Sequence, residues 1–519
     1  MKAHHLTRRQ VIGGGAVMGA GGLTLAGLGG YAWPHPAAAA TAGPGAPDTS
    51  DDARGVLHFV TRGDLNPPAV TIAHHDRQAT AAGGPPYFIL SPAGYPLTGP
   101  GAPGLMILRR DGDLVWYSPN TGFPASSGEG RVDLQVQSYR GQPVLTWWEG
   151  RVDDGVGYGK AVIADSSYRT IAVIDGGNGL SADLHEFVIT PQDTALITAV
   201  RPRPADLFRL GGPVRGTVLS GTVQEIDIAS GRVLFQWDSL DHVPVTDTYQ
   251  SFSGGTGTSP FDYFHINSIA IAPDGDLLVS SRNTCAVYKL TRPAGEVAWQ
   301  LGGKRSSFRM GPGAAFWWQH HVRPQGPSTL SIFDDGASPA KEAQSRAILL
   351  DLDTTSMQAT LNRSYTHPAG LLAANQGSMQ VLPDGRVLVG WGNLPYFSEF
   401  EADGALILDG QFPVGDQSYR AFAADWTGRP TDQPAIVAKV NPAGGSAVYA
   451  SWNGATELHS WTVLAGSGPG GLGPVGSQRR AGFETVITVN AGGPYFAVTA
   501  HDASGHVLGQ SATVRIPSG

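Results

Sequence analysis

The chain contains a single cysteine, Cys285, among its 519 residues. One cysteine cannot form an intrachain disulfide, so burial and strand pairing alone must hold the fold together. Cys285 opens the alternating run Cys285-Ala286-Val287-Tyr288. Such a run favours a small buried residue over a reactive thiol.

Charge is sparse and nowhere concentrated. The 35 Lys and Arg residues against 43 Asp and Glu leave a formal net charge of -8, and no stretch gathers the basic residues that a phosphate-binding face requires. Nucleic acid is therefore not expected as a partner. The chain has no Gly-x-x-x-x-Gly-Lys-Ser/Thr loop to cradle a nucleotide phosphate. Its repeats also lack the Gly-x-Ser-x-Gly elbow of a serine hydrolase.

Long apolar runs are missing after the N-terminus. There, Arg8 and Arg9 precede a weakly apolar, Gly-rich run over residues 11–31 and a small-residue zone at 36–40. This pattern predicts a Tat-type signal peptide over residues 1–40, followed by a disordered linker over 41–55, and hence a secreted or envelope-associated protein. An uncleaved membrane anchor is the alternative, which the glycines of the apolar run weaken.

What the chain has in abundance is turn formers, with 71 Gly and 38 Pro. They suit many short strands and argue against long helices, so an all-β fold is expected. One repeat unit, predicted to form four strands, recurs along the chain. Its clearest copy runs over residues 265–300, with strands at 266–272, 277–281, 287–290 and 297–299 and a turn at Pro273-Asp274-Gly275.

A repeat unit of four strands corresponds to one propeller blade. Looser copies lie at 132–174, 185–237 (with an insertion at 201–215), 320–365 and 376–412. Residues 104–118 supply only the outer half of a further blade, and we expect residues 418–426 to supply its inner half. The sequence thus predicts a six-bladed β-propeller over residues 56–428, closed by pairing its two ends. Short alternating strands over 429–519 predict a C-terminal β-sandwich module of Ig or fibronectin type.

Three histidines stand where consecutive copies begin: His185, His265 and His320. Since the first strand of each blade is innermost, these side chains should meet at one end of the central channel. Asn267, Gln319 and Arg282 add polar groups at the same end. A lone histidine at such a place is usually a satisfied core residue, but three in register are harder to explain that way.

Two kinds of site remain open for this cluster. A three-histidine zinc or copper site is geometrically possible, although Arg282 would repel a divalent metal and no carboxylate stands at ligand spacing. Arginine with histidine and asparagine donors suits a tetrahedral oxyanion better. The structural alternative for Arg282 is a salt bridge to Glu186, Asp183 or Asp262.

Five motifs carry a resemblance to a known family. They are Asp183-Leu184-His185-Glu186-Phe187, Phe264-His265-Ile266-Asn267-Ser268, Ser280-Ser281-Arg282, Trp299-Gln300-Leu301-Gly302-Gly303 and Trp318-Gln319-His320. In order and spacing they resemble the arylsulfotransferase family, in its actinobacterial and fungal-like branch, over about residues 58–426. The resemblance implies a six-bladed propeller that moves a sulfuryl group from an aryl sulfate to a phenol, without a nucleotide cofactor, through a sulfohistidine.

The resemblance also implies roles for individual residues. His320 would be the nucleophile and His265 the general acid and base, while His185, Asn267 and Arg282 would hold the sulfuryl oxygens. Gln319, Phe264 and Trp318 would contact substrate, and no metal or cofactor is implied. His321 stands where relatives of this branch are expected to have Asp, and strand alternation directs it away from the channel if His320 points inward.

Other functions stay open at this point. A propeller that binds a ligand or protein without catalysis, an aryl sulfate hydrolase and a metal site are the alternatives. Aromatic residues near the channel mouth could stack on aryl rings: Trp147, Trp148, Phe261, Tyr263, Phe316, Trp317 and Trp318.

Overall fold

Strands make up almost all regular structure in the computed structural model, which describes residues 55–76, 83–92, 99–121, 129–491 and 493–516. Helical structure in these ranges is limited to 3-10 turns at Phe208–Leu210, Ser239–Asp241 and Val245–Asp247. The predicted all-β class is confirmed. The predicted signal at 1–40 and linker at 41–55 lie outside the described residues, Gly55 excepted. No helix in the described ranges has the length and apolar character needed to cross a membrane.

The strands up to residue 424 form six sheets within the described chain. In chain order they are β1 (Thr71–His74), β2 (Tyr87–Pro92), β3 (Gly104–Arg109), β4 (Leu114–Pro119), β5 (Glu129–Tyr139), β6 (Gln142–Asp153), β7 (Val156–Ala164), β8 (Thr170–Ile174), β9 (Phe187–Ile189), β10 (Thr194–Ala205), β11 (Gly216–Asp227), β12 (Val233–Asp238), β13 (Ile266–Ile271), β14 (Leu277–Ser281), β15 (Ala286–Leu290), β16 (Val297–Gly302), β17 (Arg309–Met310), β18 (His320–Pro324), β19 (Thr329–Asp334), β20 (Arg346–Asp353), β21 (Gln358–Tyr365), β22 (Ser378–Val381), β23 (Val387–Gly390), β24 (Tyr396–Phe400), β25 (Leu406–Gln411) and β26 (Ser418–Ala424).

Each sheet has four antiparallel strands at its centre. The strand orders are β26-β2-β3-β4, β5-β6-β7-β8, β9-β10-β11-β12, β13-β14-β15-β16, β18-β19-β20-β21 and β22-β23-β24-β25, with β17 added beside β21 and β1 beside β25. The first-named strands contact one another in the order β26, β5, β9, β13, β18, β22 and again β26. They form a closed, propeller-like ring, and apolar cores fill the space between adjacent sheets.

The clearest sequence repeat coincides with one sheet. Strands β13 to β16 cover the four segments read from residues 265–300, and Gly275 takes a φ of +89° in the turn between the first two. Glycine adopts that conformation without steric cost. In the copy at 185–237, the presumed insertion is largely a longer hairpin, because β10 continues to Ala205 and β11 begins at Gly216.

The sheet that joins the two ends of the ring differs in detail from expectation. Strand β26 pairs with β2, so the N-terminal part supplies three strands rather than two. The additional strand, Tyr87–Pro92, is buried at every position. A strand buried on both faces has no apolar-polar alternation, which is why the pattern did not reveal it.

After residue 430 the chain forms two further sheets. Their strands are β27 (Ala435–Val440), β28 (Ser446–Ser451), β29 (Ser460–Gly466), β30 (Gly473–Arg479), β31 (Glu484–Val489), β32 (Tyr495–His501), β33 (Val507–Gln510) and β34 (Val514–Arg515). One sheet has the order β27-β28-β31 and the other β30-β29-β32-β33, with β34 on β32. Both contribute to one hydrophobic core that includes Val448, Trp461 and Phe496. The Asn453 side chain joins this region to the ring through two 2.9 Å hydrogen bonds to the Tyr117 backbone.

Candidate active site

The three predicted histidines meet because their strands are neighbours in the ring. His185 lies two residues before β9, His265 directly before β13, and His320 is the first residue of β18. All three line one cavity of about 560 Å³, together with Arg282. The rings of His185 and His265 are 4.8 Å apart between centroids. The residues of consecutive repeats thus converge on a single site.

Each of these histidines is held by a carboxylate at its Nδ1 atom. The pairs are His185 with Asp183 at 2.6 Å, His265 with Asp262 at 2.5 Å and His320 with Asp335 at 2.8 Å. A carboxylate at Nδ1 fixes the orientation of an imidazole ring and leaves Nε2 for the reaction. The three rings are therefore oriented in the same way, each by a carboxylate at Nδ1.

His320 is a neutral imidazole with its lone pair on Nε2. The backbone N–H of Gln376 donates to His320 Nε2 at 3.3 Å, so the ring proton lies on Nδ1 and is donated to Asp335. Burial lowers the pKa of His320 well below its usual value, and the positive charge of Arg282 lowers it further. A neutral imidazole with its lone pair on Nε2 is the nucleophilic form of histidine.

Arg282 brings a positive charge to the cavity and has no carboxylate partner among the described residues. Its guanidinium donates to Asn283 Oδ1 and Ala374 O, both at 3.1 Å, and lies 5.1 Å from the ring centroid of Trp318. The three carboxylates of the salt-bridge alternative pair elsewhere in the described chain: Asp183 with His185, Asp262 with His265, and Glu186 with Arg323 and Arg420. Burial lowers the pKa of Arg282, yet a guanidinium stays charged at neutral pH. It is suited to hold an anion.

Comparison with known proteins assigns the family. The sequence profile of the arylsulfotransferase (ASST) family matches residues 135–413, which contain all four of these cavity residues. The chain belongs to the arylsulfotransferase family. This membership supports aryl sulfotransferase activity that needs no nucleotide donor.

Curated protein sequences gave no match to this arylsulfotransferase. Among solved structures, a protein of unknown function from Bacteroides caccae is 12% identical, with a TM-score of 0.39, covering 65% of this chain and 98% of its own. A catalytically inactive virginiamycin B lyase from Staphylococcus aureus with quinupristin is 9% identical, with a TM-score of 0.33, covering 74% of this chain and 97% of its own. A protein from Lactobacillus plantarum is 14% identical, with a TM-score of 0.34, covering 78% and 99%.

Four other predicted site residues lie behind the cavity wall of the arylsulfotransferase. The Asn267 amide donates to Gln319 O at 2.6 Å, and the Gln319 amide donates to Ser280 Oγ and Ser281 O at 3.0 Å. Phe264 packs in the core between β11 and β14, and Trp318 lies fully buried against Arg282. Their predicted contacts with substrate stay predictions, and as placed they support the residues that line the cavity.

His321 does not line the cavity, as predicted, but regular strand alternation is not the cause, because its φ is +49° and the β18–β19 pairing is irregular between His320 and Arg323. Its Nδ1 lies 3.1 Å from Met379 O, its ring packs against Phe422, and burial lowers its pKa well below the usual value. Of the aromatic candidates, Trp148 and Phe261 line the cavity.

Sequence reasoning missed several contributors to the site. Gln376 lines the cavity and opens the repeat at 376–412, so its place at the start of a copy was a usable signal. Tyr419 also lines it, from the closing strand β26. Its neighbour Arg420 donates to His185 O at 2.7 Å, Asn267 O at 3.1 Å and Glu186 Oε1 at 3.0 Å. No sequence pattern marks a buried arginine on the strand that closes the ring.

Proposed function

We propose that this arylsulfotransferase transfers a sulfuryl group from an aryl sulfate to a phenol by a ping-pong mechanism, with a sulfohistidine at His320 as intermediate. The observation that carries the proposal is the neutral His320 imidazole in one cavity with Arg282, which has no carboxylate partner in the part of the chain that the structure describes. One group is suited to attack sulfur and the other to hold its oxygens.

In the first half-reaction His320 Nε2 attacks the sulfur of the aryl sulfate. An N–S bond forms and the ester S–O bond breaks, while Arg282 and His185 bind the sulfuryl oxygens. His265 gives a proton to the departing phenolate. The adduct ring is cationic, with its Nδ1 proton directed at Asp335. The Gln376 N–H that now donates to Nε2 loses that acceptor when the N–S bond forms.

The second half-reaction runs through the same groups in reverse. A new phenol binds, His265 takes its proton, and the phenolic oxygen attacks sulfur. The N–S bond breaks and His320 returns to its neutral form. Because donor and acceptor use the cavity in turn, one aryl-binding surface serves both. Trp148 and Phe261 line the cavity and offer aromatic surface for this purpose.

The decisive experiment follows a chromogenic aryl sulfate, 4-nitrophenyl sulfate, with and without an added phenol. We expect a burst of 4-nitrophenol equal to one turnover, a gain of one SO3 group on the peptide that contains His320, and steady turnover only with phenol. His320→Asn should abolish burst and label, and His321→Asn, its matched control, should keep both. Turnover with water alone would indicate a hydrolase, and binding without a burst would indicate a non-catalytic propeller; either result overturns the proposal.

We further propose that the six sheets are the blades of a β-propeller over residues 56–428 and that 429–519 form a β-sandwich module. The ring of contacts from β26 through β22 and the shared core of the last two sheets support this division. A crystal structure of the full chain tests it: six four-stranded blades around one channel are expected, and any other number would contradict the proposal.

We also propose export through the Tat pathway, based on Arg8 and Arg9 before the apolar run. Fractionation of cells that express the full chain tests this. Changing both arginines to lysine should retain the protein in the cytoplasm, and unchanged export would contradict the proposal.

A further inference from the structure

The cavity has opposite charge at its two ends. The lining includes the half-buried Arg282 and the buried His320, whereas its exposed residues include the acidic Glu129, Asp153 and Asp154. Asp262, a further acidic residue of the lining, is paired with His265. No lysine and no second arginine lines the cavity in the described chain. A ligand that fills the cavity therefore meets positive charge at its inner end and negative charge at its outer end.

The acidic end is built by the tip of the β6–β7 hairpin. Strand β6 ends at Asp153 and β7 begins at Val156, and the two residues between them, Asp154 and Gly155, have φ values of +50° and +81°. An Asp-Gly pair with positive φ at both positions is the favoured turn for a two-residue hairpin. A Cβ atom placed on Gly155 would lie 3.7 Å from His265 Cε1. The turn thus borders the histidine proposed to exchange the phenolic proton.

Asp154 is the carboxylate available to a ligand at this end. Asp153 forms a 2.8 Å salt bridge with Arg151, whereas Asp154 forms no hydrogen bond or ion pair with the described residues. The apolar wall of the cavity includes Trp148, Phe261 and Leu184. An aromatic ring fits such a wall, since flat apolar surfaces bury it on both faces.

From this order of charges we infer that the acceptor class includes phenols with a cationic substituent, an ammonium group above all, which Asp154 binds at the cavity mouth. The inference rests on the proposed sulfuryl transfer, because it places the phenolic oxygen at His265 and the ring along the apolar wall. The contribution of one exposed carboxylate is modest and is screened by salt. We expect the ammonium phenol to exceed a carboxylate phenol by about tenfold in kcat/KM at low ionic strength.

Three acceptors of similar shape test this: tyramine, 4-ethylphenol and 3-(4-hydroxyphenyl)propionate. The donor is saturating 4-nitrophenyl sulfate, and kcat/KM is measured for each acceptor at low and at high salt. We expect kcat/KM to be highest for the ammonium phenol, lower for the neutral phenol and lowest for the carboxylate phenol, and we expect high salt to reduce these differences. Asparagine tolerates the same left-handed turn, so in Asp154→Asn the ratio of kcat/KM between the ammonium and the carboxylate acceptor should fall toward one. Asp175→Asn removes an exposed charge that does not line the cavity and should keep this ratio.

The outcomes separate this inference from the proposal beneath it. If 4-ethylphenol accepts no sulfuryl group, the proposed transfer itself is wrong. If all three phenols are sulfated with equal kcat/KM, or if the preference survives in Asp154→Asn, transfer stands and the role of Asp154 is wrong.

Discussion

Replacing Asp335 by asparagine should slow the chemistry of the first half-reaction without unfolding the protein. Asp335 is fully buried and accepts the Nδ1 proton of His320 at 2.8 Å. Asparagine offers both an amide donor and a carbonyl acceptor at that place, so the tautomer with its lone pair on Nε2 is no longer enforced. The neutral side chain also gives no negative charge to balance the cationic adduct.

The magnitude follows from these two losses. Exchange of the orienting aspartate of a catalytic histidine for asparagine costs up to about 10⁴-fold in kcat. A loss of about 10³-fold, or roughly 4 kcal/mol of transition-state stabilisation, is the expectation here. KM should change little, because Asp335 does not line the cavity. Burial raises the pKa of Asp335, so its charged form costs stability at neutral pH, and Tm should stay equal or rise in Asp335→Asn.

The assay is the single-turnover rate of 4-nitrophenol release in a stopped-flow instrument, with Tm measured on the same samples. Asp409→Asn is the matched control, because Asp409 lies 3.1 Å from Nε2 of His367 and neither residue lines the cavity. The control should keep the wild-type burst rate. A folded Asp335→Asn protein whose burst rate stays within tenfold of wild type would refute this account of His320.

Three further predictions concern stability and reactivity. Arg420→Met leaves the buried Asp133 carboxylate without its cation and leaves Glu186 with Arg323 alone. It should lower the free energy of unfolding by about 3–5 kcal/mol in a denaturant titration; a loss below about 1 kcal/mol would contradict it. His321 is buried with a lowered pKa, so its contribution is present above about pH 6.5 and is lost as pH falls, when the unfolded chain takes up a proton. His321→Gln should therefore reduce the acid-side slope of stability against pH by up to about 1.4 kcal/mol per pH unit, and equal slopes would argue against a neutral buried ring. Burial raises the pKa of Cys285 to about 12, so iodoacetamide at pH 8 should modify it only after denaturation, and labelling of the native protein would contradict its burial.

Much of the fold was accessible from local pattern. Alternating runs and Pro-Asp-Gly turns located β13 to β16 almost to the residue, since both signals arise from neighbours in the chain. The same repeats placed His185, His265 and His320 at equivalent positions, from which a common site could be inferred. The strand at 87–92 escaped this reading, because a strand buried on both faces carries no period.

The hydrogen-bond partners of the site residues could not be predicted from the sequence. Asp183 and Asp262 were considered as carboxylates for Arg282, yet each holds a histidine instead. Asp335 and Gln376 reach His320 from 15 and 56 residues away in the sequence. The Asp335 contact depends on the register in which β18 pairs with β19, and the Gln376 contact depends on how the next sheet packs against this one; no local pattern encodes either.

The sequence by itself determined the all-β class, the repeating unit and the registration of three histidines on consecutive units, because each follows from short-range alternation and turn chemistry. Only the tertiary structure decided which atom of His320 carries the proton, that Arg282 has no carboxylate partner among the described residues, and that the β6–β7 hairpin brings Asp154 to the cavity. These are relations between residues of different repeats, and they exist only once the sheets pack against one another in the ring.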